Sequence, residues 1–265
     1  MKFGEKYTNY WASAVNKSVD GTVIAGINEA KFFLQYLGIE KHHRVLDLGC
    51  SFGRMCEVLS IYSDHICGIE PDPFAVEKAR LQRYEEVHQG SAEATGFEKN
   101  SFDFVFCWAV FDVVEHIKGL TEINRILKSD GKLLLTGKNN NYHSDDALAF
   151  RAEKNAYLKD FPNRFTNLDA ALKDFKTLGF KLDKLFLFPR RGDFGLMNFS
   201  EHGDDVDCEY IGYEYLILCH KVADQDVHVA PNENLDGEFS NTATKIAIQR
   251  GYAGAKELFE SIGID

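Results

Sequence analysis

The stretch Val45-Leu46-Asp47-Leu48-Gly49-Cys50-Ser51-Phe52-Gly53-Arg54 constrains the fold more than any other part of this 265-residue chain. An apolar run ends in an acid, and two glycines follow, four residues apart. A helical pattern then begins with Met55, Val58, Leu59 and Tyr62. This order reads as a buried parallel strand, a tight glycine turn and a helix start. Without a Cβ, the glycines let the backbone press against a ligand. The helix start behind them presents free N–H groups.

His65-Ile66-Cys67-Gly68-Ile69-Glu70 reads as the next strand, and it ends in Glu70, 23 residues after Asp47. An acid at about this distance takes a ribose diol in nucleotide-binding βαβ units. Asp47 and Glu70 then stand at the carboxyl ends of adjacent strands, where open α/β sheets bind ligands. A dinucleotide fingerprint needs G-x-G-x-x-G, which Gly49–Gly53 does not supply.

At these residues the chain resembles the class I S-adenosylmethionine-dependent methyltransferases, whose first motif is D-x-G-x-G-x-G. Here it is Asp47-Leu48-Gly49-Cys50-Ser51-Phe52-Gly53, with Ser51 at the middle glycine. Glu70 corresponds to the family's second acid. The resemblance continues through Gly90-Ser91-Ala92-Glu93, Asn100–Phe106 and Leu120–Lys132, covering about residues 40 to 140. It implies a doubly wound, mostly parallel, seven-stranded α/β sheet with a C-terminal helical extension. It also implies S-adenosylmethionine as cofactor, held by Asp47, Gly49, Cys50, Ser51, Gly53, Glu70, Pro71, Ser91, Ala92, Glu93, Cys107 and Trp108. Ser91 stands where the family often has Asp, so adenine recognition there is expected to rest on backbone groups. Trp108 is open to two readings, a wall of the site or a core residue.

Along the chain, residues 1–40 read as an N-terminal cap or lid segment and a helix, residues 41–221 as the methyltransferase domain, and 222–265 as a linker and helical extension. Tyr7, Tyr10 and Trp11 either pack on the surface or close over the cofactor. Helices are expected at Ile27–Leu37, Phe52–Tyr62, Asp145–Leu158 and Leu168–Leu178, with another opened by Pro71-Asp72-Pro73. Strands are expected at Arg44–Leu48, Ile66–Glu70, Val87–Gly90, Phe102–Val110, Lys132–Thr136, Phe180–Phe188 and Tyr213–His220. Thr242–Ile264 recovers a helical pattern that packs on the sheet, caps the site or joins a second subunit as a homodimer.

The net charge of −11 at pH 7 argues against a general nucleic-acid binder, which needs a positive footprint. No 18-residue apolar run is present, and the polar start lacks a signal-peptide core, so a cytoplasmic protein is expected, with no membrane partner. Cys50, Cys56, Cys67, Cys107, Cys208 and Cys219 form no C-x-x-C pair and read as reduced, buried thiols.

The acceptor side is placed between two loops that follow predicted strands, Asn139–His143 and Pro189–Asp207. Tyr142 and His143 are the leading candidates to contact the acceptor, since an imidazole can serve as a base near neutral pH. Arg190 and Arg191 form a fork suited to a phosphate or carboxylate. His202, Asp204, Asp205 and Asp207 match no defined metal spacing, and no metal is expected. Methyl transfer requires the acceptor in line behind the methyl carbon, and a hydroxyl acceptor also needs a base. The expected function is O-methylation of a small polar metabolite such as a sugar, sugar nucleotide or phosphorylated precursor, with an anionic acceptor as one option. The alternatives are a small-molecule N-methyltransferase and a non-catalytic cofactor-binding subunit.

Overall fold

The computed structural model describes residues 26–160, 163–203, 210–224, 236–237 and 239–262. The predicted lid at residues 1–20 therefore lies outside the described residues, as does most of the linker. The strands are β1 Arg44–Leu48, β2 His65–Glu70, β3 Glu86–Gln89, β4 Phe102–Cys107, β5 Leu127–Lys138, β6 Phe165–Thr166, β7 Phe180–Phe188, β8 Ser200–His202, β9 Glu214–Lys221 and β10 Asp236–Gly237. The helices are α1 Ile27–Leu34, α2 Cys56–Leu59, α3 Pro73–Ala79, α4 His116–Ile126, α5 Ala147–Leu158, α6 Leu168–Thr177, α7 Asp193–Leu196, α8 Asn241–Gln249 and α9 Ala255–Ser261.

Eight strands form one sheet in the order β3-β2-β1-β4-β5-β9-β7-β8. The first five run parallel. β9 is antiparallel to both β5 and β7, and β8 is antiparallel to β7. The sequence predicts seven strands, and the eighth is β8. Ser200 and Glu201 are exposed, so this edge strand is held by backbone pairing and carries no apolar signal. The strand order reverses between β1 and β4, and this switch point opens a crevice at the carboxyl edge.

Strand residues alternate between two apolar layers. Leu46, Leu48, Ile69, Val105, Leu133, Leu135 and Ile217 face Leu120 and Ile123 of α4 and Phe175 of α6. Val45, Ile66, Phe104, Phe106, Leu134, Leu216 and Leu218 face Phe33 and Leu34 of α1 and Val58 and Leu59 of α2. Both faces are thus covered, as near-continuous hydrophobic strands require.

Two predicted helices are shortened. The first crossover helix is expected from Phe52, yet it begins at Cys56, because Gly53 holds φ 85° and the chain turns before it can wind. The C-terminal helical stretch breaks into α8 and α9 at the Gly251–Gly254 turn. Both helices pack on α5 of the same chain, through Ile246, Leu258 and Phe259 against Phe150 and Tyr157. The buried Glu153 carboxylate fastens this contact by accepting from the Ser240 amide (2.6 Å) and the Ser240 hydroxyl (2.7 Å). Among the described residues, no helix is long and apolar enough to cross a membrane. The five described cysteines are buried and unbridged; Cys208 lies outside the described residues.

Candidate active site

The loop after β1 is shaped by close packing. Gly49 has φ 73°, and a Cβ there would lie 2.6 Å from Val110 Cγ2. A Cβ on Gly53 would lie 2.6 Å from Gln82 Cγ. Gly53 therefore serves the turn's packing against Gln82 and Tyr84. Ser51 takes φ 48°, the left-handed region that the glycine of the resembled motif would reach at less cost.

Asp47 and Glu70 stand behind this loop. Asp47 accepts a short hydrogen bond from the Tyr84 hydroxyl (2.5 Å), and burial pushes its carboxyl up to about 6. Glu70 accepts from the Ser51 amide through Oε2 and from the Asp72 amide through Oε1, each at 3.0 Å. Glu70 is fully buried, and desolvation raises its carboxyl to about 7 against those two hydrogen bonds.

Beside them opens a cavity of about 510 Å³, lined by Gly49, Ile69, Pro71, Gly90, Ser91, Ala92, Glu93, Val110, Val113, Val114, Glu115, Lys118 and Arg164. It brings together five of the residues expected to hold a cofactor: Gly49, Pro71, Ser91, Ala92 and Glu93. Glu93 Oε1 also accepts from the Glu115 amide at 2.8 Å, fixing one wall. Val110, at the strand end expected to face the cofactor, packs against Gly49, and Val113 and Val114, which the sequence reading did not assign to the cofactor, add to the apolar lining.

The cavity suits the adenosine half of S-adenosylmethionine. Its walls are mostly apolar, and Gly49 admits close approach. Glu70 keeps lone pairs beyond the two that its backbone donors use, the chemistry a ribose diol requires of its acceptor. Two expected contacts are corrected. Cys107 is fully buried in the layer with Val105 and Leu135, because strand alternation turns it away from Trp108. The Cys50 side chain packs on Val76, Ala79 and Val87, so its part in the loop is carried by its backbone, whose N–H donates to Ile69.

Trp108 lies on the opposite face, stacked on Phe106 with centroids 5.4 Å apart and edge-on to Phe194 at 5.3 Å. Its Nε1 is 3.0 Å from where a Cβ on Gly26 would stand, so the start of α1 crosses directly over it.

The acceptor side differs from expectation. Tyr142 is buried, and its hydroxyl donates to Glu153 Oε2 at 2.7 Å beneath the C-terminal helices. It is a packing residue, because its ring turns toward Phe165 and Tyr213. His143 is half-buried, and its carbonyl accepts from the Asp146 amide. The Asn139 side chain is fixed by the carbonyls of Asn141 and Tyr210, both 2.9 Å away. Arg190 donates to both oxygens of Asp145 at 3.0 Å. Arg191 donates to the Tyr213 hydroxyl at 3.2 Å and lies over the Tyr213 ring. The arginine fork is therefore divided between two internal partners. His202 pairs with the Ser200 hydroxyl, while Asp204, Asp205 and Asp207 lie outside the described residues.

The charged residues that do gather at the carboxyl ends of β4 and β5 are Asp112, Lys138 and Glu214. Lys138 pairs with Asp112 and donates to Asn163 Oδ1 at 3.1 Å. The Asp112 carboxylate holds the Lys138 amine above its ordinary range although burial opposes this. In the sequence Asp112 and Glu214 are 26 and 76 positions from Lys138, on both sides of it, so no local pattern pairs them with it.

Comparison with known proteins agrees with this architecture. Residues 46–135 match the family described as "Methyltransferase domain". The ubiquinone/menaquinone biosynthesis C-methyltransferase UbiE of Citrifermentans bemidjiense is 31% identical over 116 residues, covering 40% of this chain and 49% of the relative. A ubiquinone biosynthesis O-methyltransferase of Xanthomonas oryzae pv. oryzae is 34% identical over 110 residues, covering 36% and 43%. The chain spans 40% to 62% of the length of such curated relatives. In shape it is similar to a Thermotoga maritima protein described as an S-adenosylmethionine-dependent methyltransferase, possible histamine N-methyltransferase. The TM-score is 0.58 at 19% identity, covering 84% of this chain and 100% of that one. The matched stretch holds both the glycine loop after β1 and Glu70, the acid that closes β2, so residues 46–135 of this chain carry a methyltransferase domain.

Proposed function

We propose that the protein transfers a methyl group from S-adenosylmethionine to a small acceptor. The observation that carries this reading is a cavity of about 510 Å³ at the carboxyl edge of the sheet, lined by Gly49 after β1 and by Ile69 and Pro71, the residues on either side of Glu70 at the end of β2. Gly49, Pro71, Ser91 and Ala92 would hold the cofactor's adenosine, and Glu70 its ribose. The bound cofactor supplies an electrophilic methyl carbon. The chain's own residues orient the acceptor, keep water out and take up a proton.

The acceptor is read as a small hydroxyl compound, methylated on oxygen. The two quinone-biosynthesis relatives act on carbon and on oxygen by their names, and the arginines that would hold a phosphorylated acceptor are engaged by Asp145 and Tyr213. Calorimetry with S-adenosylhomocysteine tests the cofactor half. Saturable binding of one molecule per chain is expected, and no binding would refute the reading.

A further inference from the structure

Lys138 is the last residue of β5, at the carboxyl edge of the sheet. Its ammonium pairs with the Asp112 carboxylate and donates to Asn163 Oδ1 at 3.1 Å. Both partners stand beside residues that line the cavity of about 510 Å³. Val110, Val113, Val114 and Glu115 surround Asp112 along the chain, and Arg164 follows Asn163. The two segments also meet directly, since the Arg164 amide donates to the Asp112 carbonyl at 2.7 Å. Lys138 thus stands behind two walls of one cavity.

The wall that carries Asp112 has fixed ends and a weakly held middle. At one end the Ala109 amide donates to the Thr136 hydroxyl of β5 at 2.7 Å. At the other the Glu115 amide donates to Glu93 at 2.8 Å. Between them the turn at Phe111–Val113 is three residues long, and its first residue is capped by no side chain. From 110 to 114 the sequence is Val, Phe, Asp, Val, Val, so Asp112 brings that stretch its one polar side chain. That side chain is 13% exposed, and Lys138 is 21% exposed. Burial opposes the charge on Lys138, yet Asp112 and Tyr213 hold the amine above its ordinary range. Removing one member of a buried pair strands the other. Without the ammonium, the Asp112 carboxylate turns toward water and draws Val110 and Val113 with it. Val110 packs against Gly49, so this movement loosens the cavity at the glycine loop.

We infer that Lys138 is a positioning residue of the cofactor site: one ammonium ties the turn at Phe111–Val113 to the segment at Asn163–Arg164 and so holds two walls of the cavity around bound cofactor. This rests on the methyltransferase reading. Lys138 acts through these segments, and its effect is on how long the cofactor stays. Changes within one binding site fall mostly on dissociation.

S-adenosylhomocysteine is the probe, with calorimetry and stopped-flow kinetics on the full chain. Lys138→Met keeps the length of the side chain and removes its charge. It should weaken binding by about tenfold or more, through faster dissociation, with association within about twofold of wild type. Lys138→Arg keeps the charge and should bind within about threefold of wild type. Unchanged affinity in a folded Lys138→Met protein, a loss carried by association, or a Lys138→Arg protein as weak as Lys138→Met overturns the inference. If Lys138→Met does not fold, Asn163→Ala decides, because it spares the ion pair and frees only the second wall. Its dissociation should be about threefold faster or more, and an unchanged rate overturns the inference. Failure of the wild type to bind S-adenosylhomocysteine would instead refute the reading beneath it.

Discussion

The Tyr142 hydroxyl donates to Glu153 over 2.7 Å, and neither side chain reaches the surface. The same carboxylate receives the amide and hydroxyl of Ser240, the residue that caps α8. One buried acid thus joins the loop after β5, helix α5 and the C-terminal helices. Tyr142→Phe should cost about 1 kcal/mol, the typical loss of one hydrogen bond. That lowers Tm by about 2–4 °C in a chain of this size. Cofactor affinity should not change. Glu153→Ala should cost more, about 2–4 kcal/mol, because it strands several buried donors. A Tyr142→Phe variant of unaltered Tm but weakened S-adenosylhomocysteine binding would return Tyr142 to the site.

The cofactor loop makes a steric prediction. Gly49→Ala places a Cβ 2.6 Å from Val110 Cγ2 on a backbone at φ 73°. Strain from the conformation alone is about 1–2 kcal/mol, and the collision narrows the cavity as well. Chemical denaturation should show the lost stability, and calorimetry a weaker S-adenosylhomocysteine complex. Glu70→Ala should weaken that complex by about tenfold or more through loss of a charged acceptor. Unchanged affinity in a folded Glu70→Ala protein would remove Glu70 from the site.

Burial lifts Asp47 to about 6 and Glu70 to about 7, from ordinary values of 3.8 and 4.5. An acid raised on folding holds its proton in the native state over a range where the unfolded chain has lost it, so stability falls as pH rises through that range. For these two groups the stabilisation is complete below about pH 4 and lost by about pH 7. Ribose hydroxyls and a sulfonium cation favour the ionised carboxylates. Cofactor binding at pH 6.5 should therefore release protons. Calorimetry in two buffers of different ionisation enthalpy should give different apparent heats, and equal heats would show that neither acid changes protonation.

Arg190 and Asp145 form an exposed pair at the surface. Arg190→Gln should leave Tm unchanged, since such pairs contribute little. Arg191→Gln should cost more, because it removes both a hydrogen bond to the Tyr213 hydroxyl and a cation over its ring. Neither should alter S-adenosylhomocysteine affinity. A loss of that affinity in Arg190→Gln would place the insert after β7 at the cofactor.

Much of the scaffold was written in local order along the chain. Strand β7 occupies the predicted Phe180–Phe188, β1 the predicted Arg44–Leu48, and Glu70 closes β2 as expected. Those features follow from short-range chemistry: apolar runs, glycines at a turn, an acid at a fixed distance. The pairing partners were not local. Glu214 meets Lys138 only because β9 enters antiparallel beside β5, and Tyr142 meets Glu153 and Thr242 only because the C-terminal helices return to α5. Arg190 and Arg191 are adjacent in sequence, yet one turns to Asp145 and the other to Tyr213. By itself the sequence determined the parallel strands of the sheet, the glycine turn after β1 and the acid that closes β2. Tertiary structure decided which charges neutralise one another, because charge pairing depends on distance in space and residue spacing along the chain does not set it.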